Sequence, residues 1–255
     1  MKVLGIECSS LTASVAVSVD GEMAAEYTLN QKKTHSQTIL PMIDQMLGLL
    51  EMEAADLDGI AVAAGPGSFT GLRIGAATAK GIGLVIKKPL ISVPTMDAMA
   101  FGLFGADGIL CPMLDARRGN VYTGLYEYRD EFRVLKKQCL SSVKDLIAEL
   151  NASSEGKRVI FFGDGADANR ALIEETVKVP FAFAPAPSNR QRAASVAALG
   201  EQLLLEGKTV SAAEFAPDYL RKSQAERERD VAEKLGVMDQ LAAGIVVRNP
   251  DGTDA

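Results

Sequence analysis

Two carboxylates, one histidine and one glycine turn are the residues of this chain whose types and spacing could do chemistry. Glu7 closes the apolar run Val3 to Ile6 and Asp115 closes Ile109 to Leu114, so each carboxylate stands at a strand end before a small or polar loop. Paired carboxylates in such places could hold a magnesium ion and a nucleotide for phosphoryl transfer. The loops behind them suit that chemistry poorly. Cys8-Ser9-Ser10-Leu11-Thr12 has hydroxyls but no glycine to wrap a phosphate, and Ala116-Arg117-Arg118-Gly119 has positive charge but no base. The small-residue run Ala61 to Ala64 leads through Gly65-Pro66-Gly67-Ser68-Phe69-Thr70-Gly71 into a helix, which sets unpaired amides beside the positive end of a helix dipole. Gly65, Gly67 and Thr70, with Asp115 and Arg117, are therefore the candidate nucleotide or anion contacts. Position 70 is threonine where a Walker loop needs glycine, and the glycine at 71 stands one place beyond the dinucleotide pattern. The glycines serve either an anion or the close approach of two backbones. Phe162-Gly163-Asp164-Gly165-Ala166 is a second, equally unspecific turn of this kind.

His35 is the only histidine. A hydrolytic zinc site draws on several His or Cys ligands and a nucleophilic triad needs a His base, so His35 is expected to pack or hydrogen-bond near a helix start. Cys8, Cys111 and Cys139 are odd in number, widely separated and without metal-ligand spacing. They predict no disulfide framework, a reducing compartment and no metal.

The elements that must position these residues come in two rounds. Val3 to Ile6, Ala13 to Val19 and Met23 to Leu29 read as strands, the last two joined by the hairpin signal Asp20-Gly21. A helix follows from a capping box at Thr34 or, because of Pro41, from near Thr38; then come a strand at Ile60 to Ala64, a helix to Ile86 and a strand at Leu90 to Val93. Strands at Ile109 to Leu114, Val121 to Tyr128 and Phe132 to Leu140, a helix at Val143 to Leu150, a strand at Val159 to Phe162 and a helix at Ala166 to Val177 repeat that order. Phe181 to Asn189 reads as a loop before a last helix from Gln191 to Glu206. Two βββαβα units predict an α/β fold of the actin, sugar-kinase and Hsp70 (ribonuclease H-like) type with a cleft between them. The expected division is 1–104, 105–222 and a charged helix and tail at 223–255.

A 47% hydrophobic content gives a real core, and a net charge of −6 leaves no field to hold a polyanion unaided. Neither a signal peptide nor an apolar run of membrane-span length is read, so the chain is expected in the cytoplasm and off the membrane. The first two helices look too apolar for a surface position. Gly71, Gly75, Ala79 and Gly83 recur every fourth residue, and Met42 and Leu49 widen the stripe of the first helix. Either the second half covers these helices or a partner does; Leu40, Ile43, Leu47, Gly75, Ala79 and Gly83 are the candidate partner interface.

Four motifs in order carry a resemblance. Gly65 to Gly75 with Ala79-Lys80-Gly81, Asp115-Ala116-Arg117 before Val121-Tyr122, Gly163 to Ala166, and Tyr219-Leu220-Arg221 running on to Glu226 resemble the TsaB family over about residues 1 to 226. TsaB proteins are bacterial partners in adding the threonylcarbamoyl group to adenosine 37 of tRNAs that read codons beginning with A. The resemblance implies a pseudoenzyme with no catalytic residue, since the related transferase TsaD binds metal through His-x-x-x-His on its first helix and here His35 is followed by Ile39. It implies a heterodimer with TsaD through the first two helices, a larger assembly with the ATPase TsaE, and a homodimer in isolation. It also implies tRNA met only through the complex, and no required cofactor beyond an ATP or ADP contact at the complex interface. Glu7 stands where aspartate is commoner in the family, and Asn120 where glutamate commonly precedes Val-Tyr. Both departures speak against a nucleotide or metal in the cleft. The rival classes are an actin-like phosphotransferase or ATPase using Glu7 and Asp115, and a metallopeptidase-like protein.

Overall fold

Each half of the chain lays down three antiparallel strands before its first helix, because alternating apolar residues and tight turns precede any 3.6-residue period. The computed structural model describes residues 1–31, 34–154 and 156–220, so the charged segment expected from 223 lies outside the described residues. β1 (Lys2–Glu7), β2 (Ala13–Val19) and β3 (Glu22–Leu29) form a meander, and β4 (Gly59–Gly65) and β5 (Leu90–Pro94) add in parallel on the other side of β1. Asp20 and Gly21 both take positive φ, 51° and 84°, as the expected hairpin turn requires. The second sheet is built from β6 (Ala106–Asp115), β7 (Asn120–Tyr128), β8 (Phe132–Ser142), β9 (Val159–Phe162) and β10 (Phe181–Phe183). The strand orders are β3-β2-β1-β4-β5 and β10-β9-β6-β7-β8, the same arrangement about the leading strand of each half. The duplicated α/β architecture is therefore present.

One face of the first sheet, with Leu4, Ile6, Val15, Val17, Ile60 and Val62, is covered by α1 (His35–Leu49) and α2 (Phe69–Ile86). The corresponding face of the second sheet is covered by α4 (Val143–Ser153), α5 (Asp164–Ala168) and α6 (Arg170–Thr176). The remaining helices cross over. α3 (Thr95–Phe101), which follows the first sheet in the chain, sets Met96, Met99 and Ala100 against Leu110, Tyr126 and Phe162 of the second. α7 (Ala193–Leu205) returns to set Val196 and Leu199 against Val3, Ala61 and Ile91 of the first.

Several local expectations change. α1 begins at His35 with Pro41 inside it; the Thr34 side chain makes no capping bond, although its carbonyl accepts from Gln37 N at 2.9 Å. Burial of Ile39, Met42, Ile43, Met46 and Leu47 on one stripe offsets the ~3 kcal/mol that an internal proline costs. The single helix expected over Ala166 to Val177 is broken at Asn169, where φ −113° and ψ 15° leave the helical region. Phe181 to Phe183, expected as loop, pairs with β9 and sets the Phe181 ring edge-on and the Phe183 ring tilted against Phe161. α2, with a mean hydropathy of 1.2 over 18 residues, is long and apolar enough to cross a membrane, contrary to the expectation that no run would be. Its Ala76 and Ala79 lie in the first sheet's core, and Leu72 is buried.

Candidate functional site

The glycine turn meets the loop after β1. Ser68 N donates to Ser9 O at 2.6 Å, a Cβ on Gly67 would stand 2.3 Å from that same oxygen, and one on Gly71 would stand 2.0 Å from Cys8 O. Gly65, at φ 120°, faces Asp218 O in the same way. These glycines let backbones touch, as only residues without Cβ can. Thr70 is exposed on the first turn of α2. His35 closes the other side of the loop, its Nε2 2.7 Å from Ser10 O. With Nε2–H donating there, Nδ1 is left an acceptor with no partner among the described residues. Glu7 is enclosed below: Ser9 N donates to Oε1 at 2.5 Å, and burial pushes the carboxyl up to about 7.

Asp115 is exposed at the end of β6. Its Oδ1 accepts from Arg117 N at 2.8 Å, and its own N–H donates to Asp164 Oδ1 at 3.0 Å. Burial holds Asp164 above the usual carboxylate range. Arg117, Arg118 and Gly119 all take left-handed φ, 65°, 56° and 71°. Asn120 steadies the two strained arginines by donating from Nδ2 to both of their carbonyls. Glu7 and Asp115 thus occupy equivalent strand ends in unlike settings, one sealed and one open. Among the described residues no three His, Cys, Asp or Glu side chains are gathered.

The helices correct the choice of interface residues. Ile43, Leu47 and Ala79 are buried in the chain's own core, and Gly75 and Gly83 face Cys8 and Leu90. That ridge of small residues seats α2 on its own sheet, so of the six candidates only Leu40 is exposed, at 57%. A second ridge points outward. On α2 the exposed residues are Thr70, Arg73, Ala77, Gly81, Leu84 and Val85; on α1 they include Leu40, Pro41, Asp44, Gly48 and Leu49. Leu49, Leu84 and Val85 are 72%, 60% and 81% exposed, and added Cβ atoms on Gly48 or Gly81 would meet nothing within 4 Å among the described residues. Both four-residue ridges are written in the sequence; it holds no signal for which of them faces in.

The comparisons with known proteins decide the family. The family model described as TsaD, tRNA N6-adenosine threonylcarbamoyltransferase, matches residues 22–229. The chain is 32% identical over 228 residues to the tRNA threonylcarbamoyladenosine biosynthesis protein TsaB of Bacillus subtilis, covering 89% of this chain and 96% of that one. It is 32% identical over 236 residues to the Escherichia coli TsaB, covering 88% and 96%. The chain belongs to the TsaB family. A Pseudomonas aeruginosa crystal structure, of an uncharacterized protein with similarity to the peptidase YeaZ, shares the fold at a TM-score of 0.74 and 23% identity, covering 86% of this chain and 99% of that one.

In this TsaB-family chain the first and last motifs meet. Residues 211–220 form a strap along α2. Lys80 Nζ donates to Ala213 O and Phe215 O at 3.1 and 2.9 Å, and Arg73 Nε donates to Tyr219 Oη at 3.2 Å. Asp218 N donates to Ala64 O at 2.7 Å, and Gln138 Nε2, reaching over from the second sheet, donates to Gly65 O at 3.1 Å. Both charged residues of α2 therefore hold the strap, a use their spacing did not suggest. The third motif is also a backbone contact: a Cβ on Gly163, at φ 99°, would stand 2.2 Å from Met113 O.

Proposed function

We propose that this TsaB-family chain is a non-catalytic subunit of the cytoplasmic complex that adds the threonylcarbamoyl group to N6 of adenosine 37 in tRNA, and that it binds TsaD through the outward face of α1 and α2. One observation carries the reading. Leu40, Gly48, Leu49, Ala77, Gly81, Leu84 and Val85 form an exposed face in which Gly81, inside α2, costs helix stability, and an added Cβ there or on Gly48 near the end of α1 would touch nothing among the described residues. A helix laid on Gly48 and Gly81 comes close to bare backbone, which buries more area than side-chain contact alone. This face replaces the one expected around Ile43, Leu47, Gly75, Ala79 and Gly83. In isolation the same face pairs with a second copy.

Three features support a non-catalytic role. Glu7 is sealed under the Ser9 loop, Asp115 spends an oxygen on its own turn, and Ile39 follows His35 by one helical turn and is buried. TsaE joins the assembly, and a nucleotide, where present, sits at the subunit boundary near Thr70 and Arg117 and is not turned over by this chain. The test is reconstitution with TsaD, TsaE and the enzyme that makes threonylcarbamoyl-adenylate. Modified adenosine is expected only when this chain is present, and equal yield without it would end the proposal.

A further inference from the structure

We propose that Arg73 is the charged anchor of this face and receives an acidic side chain, Asp or Glu, from the subunit that covers α1 and α2; the inference rests on the partner-binding reading above. The Arg73 guanidinium carbon lies 4.0 Å above the Phe69 ring centroid, and Nε donates to Tyr219 Oη at 3.2 Å. The Tyr219 ring packs on Phe69 with centroids 4.8 Å apart. These contacts hold a long exposed side chain in one pose before any partner arrives, which cuts the ordering cost of binding. They leave Nη1 and Nη2 as donors, and no carboxylate among the described residues forms an ion pair with Arg73. Asp218, next to Tyr219, accepts from Gln138 Nε2 instead.

A planar fork held by its ring face and its Nε matches one partner geometry well, the two oxygens of a carboxylate. The field around it agrees. The first turn of α2 holds no acidic residue, so no carboxylate of that turn competes for the Arg73 fork. A single arginine on a chain of net charge −6 is a poor grip for RNA, which needs several cations along its backbone. Arg73 also stands one helical turn before Ala77 and two before Gly81 on the same exposed stripe, so a partner seated on the small residues reaches the fork. An aromatic shelf carrying an arginine beside a close-packed seam is the composition of an interface hot spot.

The test is calorimetric titration of the full chain with TsaD from the same organism, at two salt concentrations. Arg73→Gln is expected to weaken association about thirtyfold and to flatten its salt dependence. Arg73→Lys, which keeps charge but loses the fork, should fall between, and Tyr219→Phe, which keeps the stacking, should cost a few-fold. Melting curves of the Arg73 and Tyr219 variants should lie close to that of the parent, losing no more than the exposed strap contact, and Gly81→Leu should melt no lower than the parent. If Gly81→Leu abolishes binding while Arg73→Gln binds within twofold of the parent, the anchor is wrong and the partner face stands. If Gly81→Leu binds as the parent does, or the parent does not bind TsaD, the face falls and the anchor with it. A loss confined to tRNA binding by the assembled complex, with TsaD affinity unchanged, would also overturn the proposal, because the fork would then be holding phosphate.

Discussion

Gly71 and Gly81 lie in one helix, and alanine at each should move stability in opposite directions. At Gly81 an added Cβ meets nothing within 4 Å among the described residues, and φ is not in the left-handed region. Gly81→Ala therefore collects the intrinsic helical preference of alanine alone, about 1 kcal/mol, which corresponds to a melting temperature roughly 2–4 °C higher for a chain of this size. At Gly71 the same atom would stand 2.0 Å from Cys8 O, a backbone oxygen in a loop clamped by Ser68 N and His35 Nε2. Relief requires the helix or the loop to shift, so Gly71→Ala should lose about 3 kcal/mol, at the upper end of overpacking costs. Thermal and urea unfolding of both variants, with unchanged m-values, is the assay. A Gly81→Ala chain less stable than the parent would refute the claim that this glycine is free within the subunit, and with it the argument that a partner accounts for it. The same Gly81→Ala chain, though more stable alone, should bind TsaD several-fold more weakly. A stability gain with no loss of binding would separate the fold argument from the interface argument.

Ala79→Glu, which would be a natural interface probe if Ala79 were exposed, should instead yield misfolded protein, because it puts a carboxylate into a fully buried site; a folded, circular-dichroism-normal variant would contradict the burial. Glu7 in the folded chain keeps its proton up to about pH 7, while the unfolded carboxyl releases it near 4.5. Its contribution to stability should thus fall as pH rises through that window, by on the order of 3 kcal/mol, and Glu7→Gln should flatten the pH profile of urea midpoints there. Lys80→Met removes both bonds to the strap and should cost ~1–2 kcal/mol. Its signature is faster amide exchange at 211–220 with the sheets unaffected.

The strand and helix order was legible because period-2 and period-3.6 patterns, the Asp20-Gly21 turn and the repeated βββαβα sequence are local signals. α3 and β10 were not legible. A seven-residue helix and a three-residue strand carry too few periods to register, and both are held in place by the second sheet. The crossing of α3 and α7 between sheets is a long-range choice that the chain's own neighbourhood does not encode.

The sequence by itself determined the duplicated fold, the family through four spaced motifs, and the existence of small-residue ridges on α2. Only the tertiary structure decided which ridge faces inward. Gly71, Gly75, Ala79 and Gly83 and the alternative Arg73, Ala77 and Gly81 both repeat every fourth residue, and either could line a close contact. The first sits on Cys8, Val62 and Leu90, so it is spent within the chain. The second is left open beside Arg73 and Tyr219, because the strap that orients the arginine arrives from nearly 150 residues away, and burial is a property of the whole packed chain.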